Sequence, residues 1–356
     1  MYACPNLFDS EIQVNRKVRR ALSRYLGGLI KYSGKKNCTV IAQASDLSHD
    51  SVYEFFDHAT DNKSILQAFL NNTISSLPLN TGVWYINIDE TLIEKMFAKN
   101  IEGASKNWSG VYNKALNGLS IVAAVITNGK ITIPITFKTW YSEKDYPDKH
   151  ETRIELAKQL IIEITKTHTN IIFLMDGGFS SEGMLRFCAT HKVRYCMRFH
   201  SNKKVVINGL EAQLRNHECI KVSSKRIGRV VNGFYKGIPV RLLAFKRTRK
   251  NDVVKIVYLV TSEELSPKKL IRLYKQRWGI EKFYRTSKQH IGLEDCQARS
   301  ALKQEAHIFA VFVIYAFLQI QKINYKAKNP ERILHKIRGP KPGRLLDQFE
   351  TFCEVL

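Results

Sequence analysis

The stretch LYKQRWGIEKFYRTSKQHIGLED, residues 273–295, decides the reading, because one helical wheel lines up a single carboxylate with a row of cations. At about 100° per residue, Tyr274, Arg277, Glu281, Arg285 and Lys288 fall in a stripe roughly 80° wide. Leu273, Ile280 and Phe283 lie on the other side, which predicts one amphipathic helix with its apolar face on a core. A lone acid inside a basic face suits a metal ligand working beside a polyanion. The plainer alternative is a solvated face laced with exposed ion pairs, which would add little stability.

Working outward, two more acids stand in similar settings. Asp89 ends the run VWYINID, whose aromatic and β-branched residues predict a buried strand over 83–89. Asp176 ends a second such run, NIIFLMD, and the Gly177-Gly178 pair behind it signals a turn of the chain. Each aspartate is thus expected where a strand runs out, and functional groups of α/β sheets collect at strand ends. Either could instead simply cap the element that follows.

Tyr-x2-Arg-x3-Glu-x6-Lys, with Trp278 and Ile280 between, resembles the signature around the last catalytic acid of bacterial insertion-sequence transposases. These are DDE enzymes of the ribonuclease H-like and retroviral integrase superfamily. The resemblance covers roughly residues 80–325 and implies the triad Asp89, Asp176 and Glu281, with Arg277 and Lys288 on phosphates near the cleavage point. Tyr274 would donate to a phosphate or brace the helix; Arg285 shares the stripe without being part of the signature. Three carboxylates suit Mg²⁺, a hard ion that takes oxygen ligands and leaves room for substrate phosphate. Two such ions about 4 Å apart would serve an in-line displacement at phosphorus, Asp89 bridging them and Asp176 and Glu281 each completing one. Mn²⁺ is expected to substitute. The dispersed histidines and the absence of a C-x-x-C pair give zinc little support.

Charge agrees with a DNA partner. The chain carries 56 Lys and Arg against 32 Asp and Glu, a formal net charge of +24. Residues 199–350 hold 32 of those cations and 12 of the acids, so most of the basic surface follows Asp176. Binding should therefore weaken steeply with salt. RNA or an anionic membrane would also suit a basic chain. The longest apolar run, IFAVFVIYAFL at 308–318, is short of the roughly 20 residues needed to span a bilayer and predicts a buried core helix. Residues 1–30 lack the order of a secretion signal, and seven unpaired-looking cysteines point to a reducing, bacterial-type cytoplasm.

At 356 residues the chain has room for two or three domains. Residues 1–78 predict a small helical DNA-binding region, with Val14, Val18, Ala21, Leu22 and Tyr25 at helical spacing. Within it, 39–58 reads as helix, turn, helix, with Ser48 capping the second helix and Ser51, Tyr53 and Glu54 free to face a groove. Packed helices that read no DNA would show the same pattern. Residues 79–199 predict three strands, helix, strand, helix, strand, the order of a ribonuclease H-like mixed sheet with flanking helices. The strands 119–127 and 130–136 are joined by a two-residue turn at Asn128-Gly129. Residues 200–262 predict a β-rich insertion before the third acid, with basic turns such as KRTRKND at 246–252. The resemblance implies an aromatic wedge for an unstacked base in some relatives' insertions; here the only aromatic pair is Phe234-Tyr235, for which a core or turn role is the better reading. Residues 263–325 complete the core, and the basic, Pro- and Gly-broken tail 326–356 would either track DNA or be disordered.

The resemblance implies double-stranded DNA partners, the element's terminal inverted repeats and its target, held by at least a homodimer, and no membrane. A nuclease or resolvase of the same fold, and a catalytically silent DNA-binding derivative, are the competing readings.

Overall fold

Runs of β-branched and aromatic residues build one mixed sheet, and amphipathic helices cover both ends of it. The computed structural model describes residues 15–355 apart from positions 80, 97, 99, 110–112, 169, 224–226 and 249–253. Val14 and part of the 246–252 turn lie outside the described residues. In chain order the elements are α1 (Arg16–Lys31), α2 (Cys38–Ala44), α3 (His49–Asp57) and α4 (Ala59–Ser75). The strands β1 (Tyr85–Glu94), β2 (Ser105–Ser109), β3 (Lys114–Thr127) and β4 (Thr132–Trp140) follow, then α5 (Arg153–Thr165), β5 (Ile172–Met175), α6 (Glu182–Thr190) and β6 (Arg194–Phe199). Next come β7 (Lys204–Ile207), β8 (Leu210–Gln213), β9 (Gly228–Tyr235), β10 (Ile238–Thr248) and β11 (Val254–Thr261). Helices α7 (Pro267–Lys275), α8 (Trp278–Thr286), α9 (Ala301–Asn324), α10 (Pro330–Arg338) and α11 (Arg344–Val355) complete the chain.

The sheet order is β2-β3-β1-β5-β6-β11-β10-β9-β7-β8, with β4 also on β3. Its portion β4-β3-β1-β5-β6 has two antiparallel pairings followed by two parallel ones, the mixed sheet of a ribonuclease H-like fold. The short edge strand β2 is not legible in the sequence. The β-rich segment after β6 continues the same sheet, because β11 pairs antiparallel with β6, Tyr258 opposite Phe199. Its Tyr235 packs edge-on against Phe199 at 5.2 Å, while Phe234 on the opposite face is half-exposed.

The predicted two-residue turn between β3 and β4 is a four-residue one, 128–131. Asn128 explains the difference: its Oδ1 accepts from the backbone N–H of Lys130 and Ile131, an Asx-type turn that uses the side chain where a tight hairpin would use the backbone.

The apolar run 308–318 lies in the middle of α9, whose length and composition would suffice to cross a membrane but whose apolar window is 89% buried within the protein. Phe312 on this helix meets Phe137 of β4 at 5.5 Å and Phe283 of α8 at 5.0 Å, so α9 clamps α8 to the sheet. The tail 326–356, expected to track DNA or be disordered, instead forms α10 and α11. Its Phe349 and Phe352 pack on Phe317 of α9, and Phe352 also on Phe69 of α4. The tail is basic, with seven Lys and Arg against four acids, yet Ile333, Leu334 and Ile337 of α10 and Leu345 of α11 are buried, α10 packing on α9 and α1 and α11 on α1.

The N-terminal helices join the same core. Tyr25 of α1 stacks on Phe55 of α3 with ring centroids 4.1 Å apart. Ser48 caps α3 by accepting from the Ser51 N–H at 3.1 Å. Of the residues expected to face a groove, Glu54 pairs with Lys17 and Arg24 of α1 and Tyr53 lies under the Lys303 ammonium of α9, so both are engaged in packing α3.

Candidate active site

The sheet sets two of the acids side by side. β1 and β5 run parallel in register from Tyr85 opposite Ile172 to Ile88 opposite Met175, and the next residue on each is Asp89 and Asp176. Asp176 ends its strand as predicted. Asp89 does not: β1 continues to Glu94, still paired with β3. The difference has a local cause. Beyond Asp176 the chain turns at once, the carboxylate accepting from the Gly177 N–H, and a Cβ at Gly177 would come within 2.8 Å of the His200 ring. Beyond Asp89, β3 supplies a ladder and Ile93 is buried, so the strand is kept. The two carboxylates therefore emerge where β1 and β5 part.

The third acid comes from the segment 273–295, which is not one continuous helix. After α7 the chain tightens at Gln276 and Arg277, where Gly279 and Ile280 donate to carbonyls three residues back. Buried Asn87, two residues before Asp89, donates to the Gln276 carbonyl at 3.0 Å, a second bond beside that of the Gly279 N–H, and ties the tightened turn to β1. Gly279 lets α8 sit against the sheet, since a Cβ there would lie 3.0 Å from the Asn87 amide and 3.2 Å from the Thr132 hydroxyl. After α8 a π-turn, Ser287–Ile291, ends at Gly292 with φ +95°. The Tyr284 hydroxyl donates to the Asp89 carbonyl at 2.8 Å and pins β1 to the helix. Asn87, Gly279 and Tyr284 escaped the sequence reading, because their value lies in contacts across 189 to 195 residues of chain.

Arg277 stands between the acids. One guanidinium nitrogen meets Asp89 Oδ2 at 2.9 Å and the other binds Glu281 one turn on, with only 13% of the Arg277 side chain exposed. Tyr274 lies beside it, 5.9 Å from ring to guanidinium, and burial raises the Tyr274 hydroxyl well above its usual pKa. Burial lifts the Asp89 carboxyl to about 7; Arg277 opposes this, and the charges of Asp176 and Glu281 add to it.

Glu281, Asp176, Tyr274 and Arg277 line one groove of about 740 Å³, with Arg198 and Lys255 on its far wall. Lys288 and Arg285 line a second groove of about 580 Å³ on the Asp89 side. The π-turn carries Lys288 to Glu294, 3.0 Å away, and to the Leu92 carbonyl. The five residues of the predicted stripe are thus divided between two grooves that meet at Asp89 and Arg277.

No three acidic, His or Cys side chains among the described residues already surround one point. The guanidinium of Arg277 holds the place between Asp89 and Glu281 that a cation would take. The donor set itself fits a hard divalent ion: three carboxylates, of which Asp89 and Glu281 share the Arg277 guanidinium and Asp176 lines the same groove as Glu281.

The transposase DDE domain family matches residues 86–317, and the chain belongs to that family. Among solved structures, a piggyBac transposase synaptic complex with hairpin DNA is similar over 95% of this chain and 73% of its own, with a TM-score of 0.56 and 13% identity. That likeness is one of fold. No curated protein matches the chain.

Proposed function

We propose that the protein is the transposase of a bacterial insertion sequence, cutting at the element's ends to free 3′ hydroxyls and joining them to target DNA by transesterification. The observation that carries this reading is the meeting of Asp89, Asp176 and Glu281 around Arg277 where two parallel strands part. The three carboxylates would hold two Mg²⁺ ions, with Mn²⁺ able to replace them, which supply the charge that activates the attacking oxygen and stabilises the leaving one. Arg277, released from Asp89 and Glu281, is placed to grip the reacting phosphate through both guanidinium nitrogens. Tyr274 braces Arg277 and offers a hydroxyl at the same groove. Lys288 and Arg285 take phosphates on the Asp89 side. The helical region 1–78 would contact the terminal repeats, a homodimer would hold two ends together, and the reaction would run in the bacterial cytoplasm.

A labelled oligonucleotide bearing the terminal repeat, incubated with the full chain, Mg²⁺ and target DNA, tests the reading. Joined products are expected. Hydrolysis without joining would assign a nuclease or resolvase, and binding without any cut in Mg²⁺ or Mn²⁺ would leave a DNA-binding derivative.

The packing of α8 gives a second test. Gly279→Val should push the helix off Asn87 and Thr132 and displace Glu281, lowering cleavage on the order of 10- to 100-fold. Circular dichroism and melting should report a folded protein. Full activity in this variant would show that the close approach of α8 is not what positions the carboxylate.

A further inference from the structure

Beyond the three acids, the far flank of α8 opens into a cleft of about 400 Å³ bounded by the β3–β4 turn and the α9–α10 connection. Lys130, Lys275, Lys282, Arg285, Lys322 and Lys328 line it against a single carboxylate, Glu331. That carboxylate is already engaged by the Thr286 hydroxyl. Lys322 donates to the Lys130 carbonyl and to Gln319 Oε1; none of the six cations forms an ion pair among the described residues. Burial brings Lys322 down to about 8, with the charge of Lys282 adding to the shift and Glu331 opposing it, so six cations share one carboxylate here. Such crowding costs stability unless an anion relieves it, and a cleft with low-dielectric walls focuses the field on that anion.

The cleft is continuous with the catalytic surface. Lys275 and Trp278 line both the cleft and the groove of Asp176 and Glu281, and Arg285 lines both the cleft and the groove of Asp89. Trp278, 41% exposed, forms the ridge between them. An isolated pocket would suit a single small anion, whereas one cationic surface wrapping around α8 suits a polyanion that passes the acids and continues.

We propose that this cleft seats the DNA backbone beyond the reacting phosphate: a strand leaves the groove of Asp176 and Glu281, crosses the Trp278 ridge, and lays successive phosphates on Lys282, Lys328 and Lys130. The identity of the polyanion rests on the transposase reading above; the cleft and its charge do not. Lys130, Lys282 and Lys328 are exposed and form no ion pair among the described residues, so their removal should spare the fold. Lys322, held by two hydrogen bonds, is left in place.

The test compares the full chain with Lys130→Gln/Lys282→Gln/Lys328→Gln by fluorescence anisotropy on a labelled terminal-repeat duplex and on an unrelated duplex across a salt series. The slope of log affinity against log salt should fall in magnitude by about 2 to 3, as expected for roughly 0.9 counterions per lost phosphate contact, and affinity should drop about equally for both duplexes. Melting temperature should hold or rise. A control, Lys166→Gln/Lys192→Gln, removes two exposed lysines remote from the cleft and should leave the slope unchanged. An unchanged slope in the triple variant, an equal change in the control, or a wild type that binds no duplex would each overturn the proposal. Thermal stabilisation by inorganic phosphate, lost in the triple variant while the DNA slope stays the same, would overturn it in favour of a free-anion site. Catalysis is read separately: a wild type that binds through the cleft and never cuts removes the transposase reading alone, and one that cuts with an unaltered triple-variant slope removes the cleft alone.

Discussion

Glu281→Gln is expected to abolish strand cleavage and joining, by at least about a thousandfold, while leaving DNA affinity within a few-fold of wild type. The substitution keeps the size and helical position of the side chain and removes only its charge. Glu281 has 30% of its side chain exposed to the groove and its carboxylate bound to Arg277, so the fold does not depend on it as it depends on Phe283 or Ile280 beneath. Arg277 keeps its 2.9 Å bond to Asp89, and the cations of the groove are untouched. A neutral amide binds a hard divalent ion far less well than a carboxylate, so metal affinity measured by calorimetry should fall together with turnover. The two readouts separate the explanations. Lost cleavage with unchanged metal and DNA affinity would place the role of Glu281 elsewhere than in metal binding, and cleavage within tenfold of wild type would remove this residue from the triad.

The second large effect concerns acid stability. His307 of α9 is fully buried, with Nδ1 2.8 Å from the Tyr25 hydroxyl and Nε2 3.0 Å from the Gly292 carbonyl. A carbonyl only accepts, so Nε2 carries the proton and Nδ1 accepts from Tyr25: the ring is neutral. Burial, with the nearby charges of Lys95 and Lys36 acting the same way, lowers its pKa to about 3. The ordinary value of about 6.5 applies in the unfolded chain, which therefore takes up the proton first as pH falls. The contribution is complete above about pH 6.5 and is lost progressively toward pH 3, on the order of 4–5 kcal/mol in all. Urea unfolding at pH 7, 5 and 4 should show this loss in wild type and a distinctly shallower one in His307→Gln, which starts from lower stability. Parallel pH dependence in the two proteins would exclude His307 as the source. The contact joins α1, α9 and the turn that ends the Lys288 segment, so acid should loosen that end of the site along with the N-terminal helices.

Much of this molecule is written locally. Runs of β-branched and aromatic residues placed β1, β3, β5 and β6, the Gly177-Gly178 pair ended β5 at Asp176, Ser48 announced the start of α3, and the apolar run of α9, too short to span a bilayer, predicted a core helix. The spacing of Tyr274, Arg277, Glu281 and Lys288 carried the family resemblance of the 273–295 segment, because a charge pattern is a property of neighbouring residues. What the sequence left undecided depends on partners far along the chain. β1 runs on past Asp89 because β3 offers it a ladder, and β11 joins the main sheet because β6 presents a free edge. The 273–295 segment breaks at Gln276 where Asn87 takes up a carbonyl, and the π-turn moves Lys288 into a different groove from Glu281. The tail became α10 and α11 once α9 and α1 offered apolar surfaces for its buried residues. Periodicity and composition determine which elements a chain can form. Where those elements stop, bend and meet is decided by hydrogen-bond partners and buried surfaces that exist only after the chain has folded.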